Sequence, residues 1–585
     1  MTPVAGLNTK NTARLCCAVF FVSFVLISSG CKNERATAVT PVTQKQPAAP
    51  VQFTDIADTV GVRFKHTNGA GRNYYLAETM GSGCAFLDYD GDGRLDLFLV
   101  NSSRLPGCKE KGPFYPALYH QKPDGSFEDV TRQAGLAIDC YGMGAAVGDY
   151  DNDGHPDLYL TAYGGSHLFR NNGNGTFTEV TQQAKVPGPP FGFSAAWFDY
   201  DRDGKLDLFV CNYCRWSTAL NQKCGDSSGR YICGPKYYGG TASILYHNHG
   251  DGTFADVSHR AKIDNPNGKA LGIVVWDYDG DGWPDFAVAN DTVPNWLFHN
   301  NRDGTFTEVS VESGIAYAAN GQARAGMGID TADYDNSGRE ALLVGNNSSE
   351  GLGIYRPEGS PGEPSGAHFM DAAEDIGLFQ PSMPFSTFGA LFVDVDLDGF
   401  VDVLTANGHV NQQVARLSNW IGFEQRMQLF LNEPGDKPGA RRFREVGEAA
   451  GPGVAKPRVA RGLAVGDFDR DGDPDLLVCV NNGQAGLLRN EGVPKNHWLA
   501  IRPRGVKSNR DGLGTRVVLQ AGGRKQTAWV RSGSSYCSDS EHVARFGLAQ
   551  AAQADVVELH WPSGTVQTLR DVKANQLLQV TEASR

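Results

Sequence analysis

From about residue 50 onward, apolar residues fall into short runs rather than long amphipathic stretches. LDLFLV (95–100), PDLYL (156–160), LDLFV (206–210) and PDLLV (474–478) each leave directly from a turn rich in aspartate and glycine. Runs of this length, bounded by such turns, predict strands rather than helices. A second marker, a phenylalanine heading a short polar strand, recurs as FTDI (53–56), FEDV (127–130), FTEV (177–180), FADV (254–257), FTEV (306–309), FMDA (369–372) and FREV (443–446). Turn signals such as DGS before Phe127 and DGT before Phe306 suit strands entered from hairpins. After residue 496 the pattern changes to alternating apolar and polar positions between glycine turns, which predicts a small β-sandwich over 497–585.

The turns themselves repeat. DYDGDGRLD (88–96) returns as DYDNDGHPD (149–157), DYDRDGKLD (199–207), DYDGDGWPD (277–285), DVDLDGFVD (394–402) and DFDRDGDPD (467–475), with a degenerate copy, DYDNSGREA (333–341). Successive copies start 61, 50, 78, 56, 61 and 73 residues apart, about one four-stranded blade each. Both markers count to seven. One phenylalanine strand precedes the first loop and none follows the last, so a closed ring requires FTDI to complete the blade begun near Asp467. The expected fold is all-β: a seven-bladed β-propeller over 51–496, then the C-terminal domain.

Each loop carries carboxylates at positions 1, 3, 5 and 9 and glycine at position 6. The predicted ligands are Asp88, Asp90, Asp92 and Asp96; Asp149, Asp151, Asp153 and Asp157; Asp199, Asp201, Asp203 and Asp207; Asp277, Asp279, Asp281 and Asp285; Asp394, Asp396, Asp398 and Asp402; Asp467, Asp469, Asp471 and Asp475. In the degenerate copy Ser337 and Ala341 leave only Asp333 and Asp335, a weak or empty site. An all-oxygen set of this kind suits Ca2+ rather than zinc, which takes histidine or cysteine. An EF-hand would carry glutamate at position 12, where Leu99, Leu160, Val210, Val288, Val344, Thr405 and Val478 stand. The expected role of the ions is to brace hairpins.

Charge and the N-terminus narrow the setting. A net charge of -13, with 71 glycines in 585 residues, offers no basic stripe for nucleic acid. Lys10 and Arg14 precede an apolar stretch at 15–27 and the sequence ISSGC, ending at Cys31. This has the form of an export signal over 1–30, with a polar tether over 31–50. ISSGC resembles the bacterial lipobox, with Ser28 where leucine is usual, and the resemblance implies a lipid anchor on Cys31 and a membrane-attached, exported protein.

The loops resemble the FG-GAP/VCBS repeats of integrin α propellers. The tail motifs GLGTRV, RSGSSY, RFGL, WPSG and NQLLQV resemble, in that order, an ASPIC/UnbV domain. With MGSGCAFLDYDGDG, GMGAAVGDYDNDG, ANDTVPNWLF, TANGHV and ARGLAVGDFDRDG, the chain after residue 50 is similar to the cartilage acidic protein family and its bacterial relatives. That resemblance implies calcium-loaded blades and export, and no established reaction.

In an exported chain cysteines favour disulfides. Cys211, Cys214, Cys224 and Cys233 are expected to form two disulfides, with zinc as the alternative, and Cys108 with Cys140 another. Cys84 and Cys479 lie in apolar strands and read as buried thiols. Turns entering the innermost strands place Glu78, Tyr141, Arg324, Arg458 and Arg461 at one mouth of the channel, with His66, Asp291, Asn407 and His409 nearby. Of these, His66, Glu78, Asp291, Arg324, His409 and Arg461 are the candidates for a ligand site. No nucleophile motif is present. Two readings follow: a cell-surface binding or scaffold protein whose partner is a protein or glycan, or an exported enzyme using the channel mouth.

Overall fold

The computed structural model describes residues 49–584 apart from 227–228, 359–367, 417 and 493–495, so the expected export signal, Cys31 and the expected tether up to residue 48 lie outside the described residues. Seven four-stranded antiparallel sheets follow the repeat. Sheet 1 is built from Cys84–Leu87, Asp96–Leu99, Ala117–Gln121 and Phe127–Asp129, with Leu87 paired to Asp96 across the first aspartate loop. Sheets 2 to 6 repeat that order, their first strands being Tyr141–Gly148, Gly192–Phe198, Ala270–Trp276, Ile329–Ala332 and Thr387–Val393. Sheet 7 begins with Ala460–Gly466 and closes with Phe53–Asp55, Phe53 pairing with Asn490. The first strands contact one another in cyclic order, sheet 7 meeting sheet 1. Closing the ring with the N-terminal strand leaves the last sheet no three-stranded edge.

Side-chain hydrogen bonds lock neighbouring sheets. In six of the seven sheets the third strand carries an Asn or Gln whose amide reaches the backbone carbonyl at position 2 of the preceding loop: Asn171 to Tyr89 at 2.7 Å, Asn248 to Tyr150 at 2.8 Å and Asn300 to Tyr200 at 2.8 Å. Asn432 reaches Tyr334 and Asn490 reaches Val395, and Gln121 to Phe468 at 2.9 Å closes the circle. Sheet 5 has Pro357 at this place, which has no amide to give.

The C-terminal residues form a three-stranded and a four-stranded sheet around a shared core that includes Leu499, Ile501, Val517, Leu519, Phe546 and Leu559. One pairing, His497–Arg504 with Gln576–Thr581, is parallel. This unit lies on the loop face: Asp511 accepts from Asp149 N at 2.7 Å, Arg202 donates to Pro562 O at 2.7 Å, and Arg545 pairs with Asp467 at 3.1 Å.

Its segment 532–541 enters the ring. Asp539 exchanges backbone bonds with Cys84 and Phe86, Cys537 O accepts from Ala145 N, and Cys537 N donates to Ser194 Oγ. Ser535 and Ile329 exchange both backbone bonds, Glu541 N donates to Val465 O, and the Tyr536 ring meets Phe388 edge-on at 5.0 Å. First strands of six sheets therefore touch one plug. Glycines make the room: a Cβ on Gly83 would sit 1.5 Å from Cys537 O, and one on Gly462 2.6 Å from Ser538 Oγ.

The cysteine expectations need correction. Cys224 and Cys233 form a disulfide across a hairpin, whereas Cys211 and Cys214 are buried thiols. Cys211 lies in the second strand of sheet 3 beside Cys537, and Cys214 lies near Asp291 and Lys269. Cys108 and Cys140 are also unbonded thiols, as are the buried Cys84 and Cys479.

Candidate functional site

The aspartate loops are built by their own backbone. In the second loop Asp149 accepts from Asp153 N at 2.9 Å and Gly154 N at 2.7 Å, and Asp153 accepts from His155 N at 2.9 Å. Asp157 accepts from Asn171 N at 2.7 Å and Tyr150 N at 3.1 Å, tying the loop to the third strand. Position 4 is left-handed in every copy, from Gly91 at φ 72° to Asn336 at φ 56° and Leu397 at φ 58°. That kink turns positions 1, 3 and 9 toward one point: the carboxylates of Asp88, Asp90 and Asp96, and of Asp149, Asp151 and Asp157, come within 4.8 Å of one another.

Such convergence is costly without a cation. Two ionised carboxylates at that separation repel by about 3–4 kcal/mol at an effective dielectric near 20. Asp96, Asp157, Asp207, Asp285 and Asp475 are wholly buried. Burial, aided by neighbouring carboxylates, pushes Asp96, Asp149 and Asp199 up to about 8 and Asp285 up to about 7. Asp394, Asp402 and Asp475 rise well above the usual range for the same reason. The donor set fits a hard divalent ion. In the fifth copy Asp333 keeps both turn bonds, from Ser337 N and Gly338 N at 2.8 Å, while Ala341 contributes no carboxylate.

Three further side chains join these clusters. His120 Nδ1 lies 3.4 Å from Asp90 and 3.3 Å from Asp96; His247 and His299 take the same place beside Asp201 and Asp207, and beside Asp279 and Asp285. Sequence reasoning missed them. Their signal is LYHQ (118–121), LYHN (245–248) and LFHN (297–300), third-strand motifs in step with the loops.

The channel-mouth residues divide. Arg461 is fully buried, donating to Thr79 O at 2.7 and 2.8 Å, Gly408 O at 2.8 Å and Ala460 O at 2.7 Å, and its guanidinium lies 3.8 Å over Phe388. It thereby draws together the loops carrying Glu78 and His409. Burial, reinforced by the charge of Arg461, lowers His66 to about 3 and His409 to about 4, so both are neutral. His66 is held by Ser102 at 3.2 Å and Asn482 N at 3.0 Å, Glu78 accepts from Tyr75 N at 3.1 Å, and burial raises its carboxyl. Asp291 accepts from Tyr213 Oη, and burial lifts it to about 6. Tyr141 donates to Asn68 O. Arg324 pairs with Asp371 at 2.9 Å, Arg458 with Asp55 at 2.8 Å, and Asn407 accepts from Thr387 Oγ1. Against this cluster stands Tyr536, whose Oη donates to Met80 O at 3.0 Å.

The comparisons with known proteins agree with this architecture. Cartilage acidic protein 1 of Xenopus tropicalis is 27% identical over 320 residues, covering 53% of this chain and 44% of the relative. Its counterpart in Homo sapiens is 27% identical over 338 residues, covering 56% and 46%. The match thus spans less than half the length of these relatives. Rhamnogalacturonan lyase YesW overlaps 75% of this chain and 75% of its own at TM-score 0.35 and 12% identity, too distant to inform the site. FG-GAP-like repeats match residues 88–160, 149–210, 232–288, 277–344 and 394–478, and ASPIC and UnbV matches 505–585. The chain belongs to the FG-GAP-like repeat family and carries an ASPIC/UnbV domain at residues 505–585.

Proposed function

We propose that this is an exported, lipid-anchored scaffold protein whose loops bind calcium and whose exposed surface binds a protein or glycan at the cell surface. The observation carrying this reading is the set of six complete loops, each with a buried carboxylate at position 9 and with more carboxylates than the cations of the loop can neutralise. The loops of sheets 2, 3 and 7 also touch the C-terminal unit, through Asp149, Arg202 and Asp467, so bound ions would brace the junction as well as each hairpin. The residues of the alternative enzyme reading are held by backbone and side-chain bonds, Arg324 by Asp371 apart from the Arg461 cluster, which favours a structural channel.

Calcium is tested by melting the full chain with chelator and with calcium. At about 2 mM calcium a loop with Kd of about 10⁻⁴ M adds about 1.8 kcal/mol of stability. Chelation is expected to lower the Tm and Asp467→Ala to weaken that response; a melt indifferent to both sinks the reading. Labelled palmitate should enter the wild-type protein and not Cys31→Ala.

A further inference from the structure

Five of the nine tryptophans, Trp197, Trp276, Trp283, Trp529 and Trp561, line one cavity of about 330 Å3 between the loops of sheets 3 and 4 and the C-terminal unit. That volume falls near the lower end of small-ligand sites, roughly 300–1,000 Å3. Arg202 spans its floor, donating to Pro562 O at 2.7 Å and lying 5.3 Å over the Trp283 ring, so the cavity depends on the docked domains.

Its polar groups restrict the occupant. Trp197 and Trp561 are 1% and 3% exposed, yet their indole N–H groups have no partner among the described residues. Buried indole N–H groups ordinarily find an acceptor. Arg516, also on the wall, makes no side-chain hydrogen bond or ion pair among the described residues and lies near Glu340 and His560. Trp283 and Trp529 are half-buried and offer ring surface. A purely aromatic ligand would strand the indole donors at about 1–3 kcal/mol each. An anion would meet the loop of sheet 4 on the wall, whose Asp277, Asp279, Asp281 and Asp285 keep a net negative charge with one divalent ion bound. A neutral sugar ring has an apolar C–H face for tryptophan, oxygens for the donors and hydroxyl protons for the carboxylates.

We propose that this cavity binds a neutral hexopyranose presented as a glycoside. The inference deepens the surface-binding reading and rests on it, but not on the lipid anchor, and its failure would leave the calcium melts untouched. The test is calorimetric titration of the full chain, in calcium, with methyl glycosides of glucose, galactose and mannose. Saturable binding of at least one is expected, weakened about tenfold, the equivalent of 1.4 kcal/mol, by Trp283→Ala and by Arg516→Ala. Trp420→Ala, at an exposed site outside the cavity, should leave it unchanged. Unaltered melts of the two cavity variants exclude misfolding. No saturable binding with any glycoside, or binding that both cavity variants retain, overturns the proposal.

Discussion

Truncating Tyr536 tests whether the ASPIC/UnbV domain is an attachment or a structural part of the ring. The side chain is fully buried; its ring meets Phe388 at 5.0 Å and Phe193 at 6.3 Å, and its hydroxyl donates to Met80 O at 3.0 Å. Removing a buried aromatic ring costs about 3–5 kcal/mol. Tyr536→Phe removes only the hydrogen bond, about 1 kcal/mol. Gln46–Arg585 forms one compact unit, and for that length the unfolding entropy is roughly 1 kcal/mol/K. Tyr536→Ala should therefore lower the Tm of the whole unit by about 3–5 °C, and Tyr536→Phe by about 1 °C. Scanning calorimetry in saturating calcium reads both. If the two variants melt alike, or a separate C-terminal transition moves while the ring's does not, the plug is not part of the ring's stability.

Proton linkage gives a second expectation. Asp96, Asp149 and Asp199 titrate near 8 in the folded chain against about 3.9 unfolded, so their contribution without metal is full below about 4 and lost as pH rises through about 8. Calcium-free protein should melt higher at pH 5.5 than at pH 8, and added calcium should stabilise more at pH 8; equal calcium-free melts would contradict the buried clusters. Asn300→Ala should cost about 1–3 kcal/mol in urea denaturation, since it leaves Tyr200 O without its interlocking donor. Reducing Cys224–Cys233 should cost about 2–3 kcal/mol for so short a loop, measured as a shift in the urea midpoint with and without reductant.

Sequence by itself determined what is local or periodic. Four carboxylates around a glycine in nine residues specify a loop whose backbone amides and kink follow from neighbouring positions, and seven copies specify the repeat. The count of phenylalanine strands even implied that the FTDI strand completes the blade begun near Asp467; the register, Phe53 opposite Asn490, came from the fold. Tertiary structure decided what depends on distances between remote residues. RSGSSYCSDS carries no periodic signal, and only the folded ring shows why Gly83 and Gly462 must lack a Cβ opposite it. His120 joins Asp90 and Asp96 because the third strand lies beside the loop hairpin, and Cys211 remains a thiol because its strand buries it beside Cys537 while Cys224 pairs with Cys233. Pattern specifies which elements form; contact across the ring and its plug specifies which side chains meet.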